Sequence, residues 1–177
     1  RSSASDGPPR VTIMTFSDDT HTLSIESLPV DGQELATYIA GKLCHDFISP
    51  SGAIMSGLDL LDDPSAQDMR DDAMGLIRQS AKKLVHLVQF ARVAFGAATS
   101  AERFSAAELH GLVAGMVEGG RAKLDWTIGE ETFSKPQARA LVNLAYLTAL
   151  ALPMGGQAVI SAHRDADGGI VLTGSAD

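Results

Sequence analysis

From Asp31 to Gly96 the apolar residues recur at helical spacing over two stretches, interrupted once, at Asp62-Asp63-Pro64. At roughly 100° per residue, Ala36, Ile39, Ala40, Leu43, Phe47, Ile54, Leu58 and Leu61 fall on one stripe about 100° wide. Met69, Ala73, Leu76, Ile77, Leu84, Leu87, Val88, Ala91 and Phe95 give the second stretch a stripe of its own. Asp31, with Glu34 three residues on, has the form of a capping box for the first helix. Ser65 is the expected cap of the second, and Asp68, Asp71 and Asp72 near its start complement the helix dipole. Two helices of matched length joined by a short loop are antiparallel neighbours. A hairpin of that kind cannot cover its own seam, and a second copy of the chain is the simplest cover. The pattern therefore predicts a homodimer built on a four-helix bundle, with Leu43, Phe47, Ile54, Leu58, Leu61, Leu84 and Val88 in the dimer seam.

Beyond the small residues at 96–100 the periodicity changes. Ser105 is placed to cap a helix reaching about Glu118, and Ala122 to Ile128 reads as a strand. Ser134, with Pro136 in the first turn, opens another helix ending near Leu152. Ala158 to His163 and Ile170 to Gly174 read as strands joined around Asp167-Gly168-Gly169. Residues 1–10 are rich in Ser, Pro and Gly and are expected to be disordered. Val11 to Leu28 alternates weakly and fits a hairpin around Ser17-Asp18-Asp19. The expected class is thus α+β: residues 1–31 a flexible segment or short hairpin, 32–98 a long antiparallel helical hairpin forming the dimeric bundle, and 99–177 a small α/β domain.

The net charge of −8 disfavours a general nucleic-acid or anionic-membrane role. A single cysteine, Cys44, excludes an internal disulfide or a cysteine zinc cluster and suits a reduced cytoplasmic setting. No apolar run approaches a membrane span, and no signal-peptide pattern opens the chain.

Chemistry concentrates at residues 45–50, His-Asp-Phe-Ile-Ser-Pro. The helical wheel puts His45 opposite the apolar stripe, near Tyr38, Ser49, Gly52 and Ser56. A lone histidine on a helix surface is ordinarily just solvated; here Asp46, Ser49, Pro50 and the hairpin give it a context. A neutral imidazole is a good nucleophile near neutral pH. Asp46 can fix which ring nitrogen attacks, or act as general base. Pro50 removes one backbone hydrogen bond inside the helix, so a kink is expected beside His45. The small residues Ser49, Gly52, Ala53 and Ser56 leave room for a partner helix, and Lys82 and His86, at about the level of His45 on the second helix, could line the same docking surface. Lys83 lies at that level too, and such lysines are more often ordinary solvated charges. His21, His110 and His163 lack ligand spacing. No metal-ligand cluster lies near His45, so a transferred phosphoryl group would need its metal from the partner.

The pattern His, acid, apolar, any residue, Ser/Thr, Pro resembles the phosphoacceptor box of two-component histidine kinases. Residues 33–98 resemble their dimerisation and phosphotransfer domain, and 99–177 a degenerate Bergerat-type ATPase-like domain. The helix around Arg139 to Ala149 is similar to the kinase N-box: Asn143 matches its first asparagine, but Leu147 stands where the magnesium-holding one belongs, and magnesium requires oxygen ligands. The following Asp-x-Gly-x-Gly box would begin near Asp177, so the end of that domain is expected to be missing. With Leu43 to Pro50, Gly57 to Leu61, Asp63 to Met74 and Arg92 to Gly96, the chain resembles the ChpT histidine phosphotransferase family. That resemblance implies a dimeric, cytoplasmic phosphorelay protein that binds no ATP and holds no cofactor. His45 would take a phosphoryl group from the receiver domain of a hybrid kinase of the CckA type, magnesium residing on the receiver, and pass it to regulators of the CtrA and CpdR type. An ATP-dependent kinase core and a non-catalytic dimerisation or adaptor module are the alternatives.

Overall fold

The computed structural model describes residues 10–16, 31–96, 103–129, 131–164 and 170–176. It is a mixed α+β structure with four α-helices and two small sheets. The described residues fall into two compact units, one drawn from 21–88 and one from 89–177 together with 1–20.

The first unit is a helical hairpin. Helix α1 spans Gly32–Asp62, a 3-10 turn covers Gln67–Met69, and α2 spans Arg70–Ala94. Asp31 caps α1 by accepting a hydrogen bond from Gln33 N at 3.4 Å; the reciprocal Glu34 arm of the expected capping box is not formed. Helix α1 passes through Pro50 without interruption, and Pro50 is buried. Ser65 does not cap the second helix as expected: α2 begins only at Arg70, and the 3-10 turn before it starts after Ala66 with no side-chain cap, while Asp63 closes the turn onto Ser65. Asp63 Oδ1 accepts from Ser65 N at 2.8 Å and from Ser65 Oγ at 2.7 Å, and these bonds hold the carboxyl below its ordinary range. One oxygen of an ionised carboxylate can accept both donors at once.

Small residues let the two helices approach. A Cβ at Gly57 would lie 2.6 Å from Ile77 Cγ1 and 3.1 Å from the Ala73 carbonyl oxygen. Gly57, Ala73 and Ser80 are buried in this unit, with Leu87 the one large side chain to join them among its described residues. Leu58, Met55, Leu76, Val85 and Val88 remain exposed.

The second unit is an α/β sandwich of two layers. Strands β1 (Arg10–Phe16), β3 (Ala122–Trp126), β5 (Gly156–Arg164) and β6 (Ile170–Ala176) form one sheet in the order β1-β6-β5-β3. Only β3 and β5 run parallel, joined by a crossover that contains α4. Helices α3 (Ala106–Val117) and α4 (Lys135–Leu150) pack together and against the sheet. Strand β6 shows the expected period of two, with Ile170, Leu172, Gly174 and Ala176 buried. Gly174 has a reason: a Cβ there would collide with the buried Thr148 of α4. A short antiparallel ladder of β2 (Arg103–Ser105) and β4 (Thr132–Ser134) leads into α3 at one end and into α4 at the other. Ser105 and Glu108 form the full capping box of α3. Gln137 Oε1 accepts from Ser134 N at 2.8 Å at the start of α4.

Three features differ from the sequence expectation or extend it. Strand β1 does not stand apart in the N-terminal segment; it forms an edge of the sheet, antiparallel to β6, with a register irregularity between Val11 and Met14. The other arm of the expected hairpin, residues 23–28, and its turn lie outside the described residues, as does the loop at 167–169. The last turns of α2 belong to the α/β core, where Phe90, Val93 and Ala94 are buried with Leu109, Val113, Phe133 and Leu141. The ladder of β2 and β4 was not anticipated, since three-residue strands carry no readable alternation.

Candidate functional site

Helix geometry sets out the surroundings of His45. Gly41 and Lys42 lie one turn before it and Ser49 one turn after, with Tyr38 and Gly52 two turns away on the same face. The His45 side chain is 86% exposed, as the periodicity predicted. Asp46 is 19% exposed, because the spacing Asp46, Pro50, Ala53, Gly57 puts it on the line that turns toward α2. Glu34, Thr37, Tyr38, Gly41, Lys42 and His45 line an open groove along α1.

Asp46 has a partner on each carboxylate oxygen. Oδ1 lies 3.1 Å from His45 Nδ1, and Oδ2 accepts from Lys42 Nζ at 2.5 Å. Partial burial pushes the Asp46 carboxyl up, but the hydrogen bonds and charges of Lys42 and His45 outweigh it and hold the group below the ordinary carboxylate range. An ionised carboxylate can only accept, so the proton on a neutral His45 ring sits at Nδ1. Nε2 then carries the lone pair and is the nitrogen free to attack an electrophile. Sequence reasoning missed Lys42. Its signal was available in the four-residue spacing to Asp46, which places opposite charges together on a helix.

Ser49, Gly52 and Ser56 are exposed, whereas Ala53 is half-buried on the α2 side of the helix. Lys82 is exposed and His86 half-buried. The contact of Gly57 with Ala73 and Ile77 sets the helix register, and equal counts back along α1 and forward along α2 bring Asp46 level with about His86. Of the seven residues assigned to the dimer seam, Leu58 and Val88 are exposed, and Leu43, Phe47, Ile54, Leu61 and Leu84 are half-buried. Cys44 is an exposed free thiol. Among the described residues no group of three or more His, Cys, Asp or Glu is placed to hold a metal, and no helix is long and apolar enough to cross a membrane.

In the second unit, Asn143 Nδ2 donates to the Ala94 carbonyl at 3.0 Å and to the Arg139 carbonyl at 2.8 Å. The first of these bonds closes the end of α2, where Gly96 takes a left-handed φ of 70°, and the second stays within α4. Leu147, one turn on, is 61% exposed. His110 lies against Trp126, ring centroids 5.3 Å apart, and His163 is exposed.

Residues 106–177 match the family model of the histidine phosphotransferase C-terminal domain. The chain is 32% identical to the protein phosphotransferase ChpT of Brucella abortus (strain 2308), over 83% of this chain and 71% of that protein. It is also similar to a solved structure of a bacterial phosphotransferase, with a TM-score of 0.68 and 28% identity over 82% of this chain and 70% of that one. Fold and matches together define a histidine phosphotransferase. The chain belongs to the ChpT family of protein phosphotransferases.

Proposed function

We propose that this protein relays phosphoryl groups between aspartates of other proteins, with His45 as the carrier. The observation that carries this is the outward His45 ring, its side chain 86% exposed, with Nδ1 3.1 Å from the Asp46 carboxylate. The donor is the aspartyl phosphate of a receiver domain of the CckA hybrid-kinase type, and the acceptors are response regulators of the CtrA and CpdR type. Asp46 orients the ring and stabilises charge on it. The metal that neutralises the phosphoryl charge is held by the receiver.

A receiver helix docks against Ser49, Gly52 and Ser56, with Ala53 at the edge and Lys82 and His86 on the neighbouring helix. The protein works as a cytoplasmic homodimer. Its four-helix bundle closes over Leu43, Phe47, Ile54, Leu58, Leu61, Leu84 and Val88, and the exposure of Leu58 and Val88 in the single chain supports that reading. The α/β domain is a degenerate Bergerat-type fold that does not bind ATP, a reading supported by the use of Asn143 to close α2 and by Leu147 one turn on. In domain terms, residues 32–98 carry dimerisation and transfer and 99–177 the ATPase-like part.

The test is incubation of the full chain with a receiver domain carrying labelled aspartyl phosphate, beside incubation with labelled ATP. Wild type takes label from the receiver and not from ATP, and His45→Ala takes none. Wild-type labelling of His45→Ala removes the assignment, and labelling from ATP alone makes the protein a kinase.

A further inference from the structure

Residues 45 and 46 are consecutive, so their Cα–Cβ bonds point about 100° apart around α1. Neighbours in sequence do not ordinarily face each other on a helix. Yet Asp46 Oδ1 reaches His45 Nδ1 at 3.1 Å, which requires the carboxylate to lean across the helix surface toward the ring. Lys42 occupies the place from which it can be held there. It is four residues before Asp46 and three before His45, so it lies between the two faces, and its ammonium takes Asp46 Oδ2 at 2.5 Å. Its side chain is 51% exposed and lines the same groove as His45. An exposed pair of this kind adds little to stability. Its effect is on geometry: with Oδ2 anchored, Oδ1 is left to face the imidazole.

We propose that Lys42 is a positioning residue for phosphoryl transfer, anchoring Asp46 so that His45 holds its proton on Nδ1 and presents Nε2 to the incoming phosphorus. The inference rests on His45 being the phosphoacceptor. In the step it serves, the Nε2 lone pair forms the N–P bond while the P–O bond to the donor aspartate breaks, and its electron pair leaves on that carboxylate. The Nδ1 proton stays in its hydrogen bond to Asp46, and the positive charge developing on the ring faces the ionised carboxylate. Without the anchor Asp46 swings to solvent, and both ring nitrogens share the proton.

The experiment compares the full-length wild type, Lys42→Met and Lys42→Arg by two measurements. Imidazole nitrogen NMR on the unphosphorylated proteins, at a pH about two units above the ordinary titration of histidine, reads the His45 tautomer. Transfer from a phosphorylated receiver domain reads the rate. Wild type and Lys42→Arg are expected to show the Nδ1–H form, and Lys42→Met a mixture of tautomers. The transfer rate of Lys42→Met should fall by roughly tenfold, the lower end of what losing a histidine's hydrogen-bond partner costs at metal sites; Lys42→Arg should restore it. A role in helix stability alone would leave the tautomer unmoved. An unchanged tautomer in Lys42→Met, or an unchanged rate, overturns the proposal. A wild type that takes no label from the receiver instead overturns the phosphoacceptor reading, and the tautomer measurement, made before any phosphorylation, keeps the two failures apart.

Discussion

Asp46 combines two environments that act oppositely on its carboxyl. Its position beside the line of Pro50 and Gly57 removes water and favours the neutral form, while Lys42 and His45 favour the charged one and prevail. A carboxyl whose folded pKa is lowered releases its proton more readily in the folded chain than in the unfolded one. Its favourable contribution is therefore complete above the ordinary value of 3.8 and disappears as pH falls through the lower folded value. A carbon-detected titration of the Asp46 side chain should give a midpoint below 3.8, and a midpoint at or above it would contradict the two-partner arrangement. At this scale much was legible beforehand. The exposure of His45 follows from helix periodicity. Which nitrogen of the ring is left free does not, because it depends on how the carboxylate is turned, and Lys42 decides that.

Helix α1 presents two kinds of glycine. Gly52 lies on the His45 face with nothing within 4 Å of the place of a Cβ, whereas Gly57 is pressed against Ile77 and the Ala73 backbone. Helix propensity alone favours Ala over Gly by about 1 kcal/mol, so Gly52→Ala should stabilise the hairpin by up to that amount. Gly57→Val should destabilise it by about 1–3 kcal/mol, since a branched side chain at 57 must move Ile77 or separate the helices. Denaturant melts of the two variants check the sign at each position; a loss at both or at neither would remove the close helix approach. The wheel placed Gly52 on the His45 face in advance, but nothing in it marked Gly57 as the point of close helix approach, which only the packed partner reveals. The hairpin turn shows the same limit: Ser65 looks like a helix cap in the sequence, but the turn uses it as a donor to Asp63 and starts α2 only at Arg70.

For the whole molecule, the consequential feature is the apolar surface of the hairpin. Its buried residues are mostly small, and Leu58 and Val88, with Met55, Leu76 and Val85, stay exposed in the single chain. If the bundle is dimeric, Leu58→Glu places an unpaired charge in its seam, a change that costs about 3–5 kcal/mol when one partner of a buried pair is missing and should act on a similar scale here. Sedimentation should then show monomers at concentrations where wild type is paired; an undisturbed dimer would move the interface elsewhere. The helical pattern, the positions of α3, α4, β3, β5 and β6 and the outward His45 were determined by sequence alone, since each rests on residues close together in the chain whose spacing follows the helix or strand repeat. Tertiary structure decided the rest: β1 on the edge of β6, the end of α2 drawn into the α/β core and closed by Asn143, and the ladder of β2 with β4. Those are pairings between segments far apart along the chain, and local periodicity has no term for which distant surface a segment will meet.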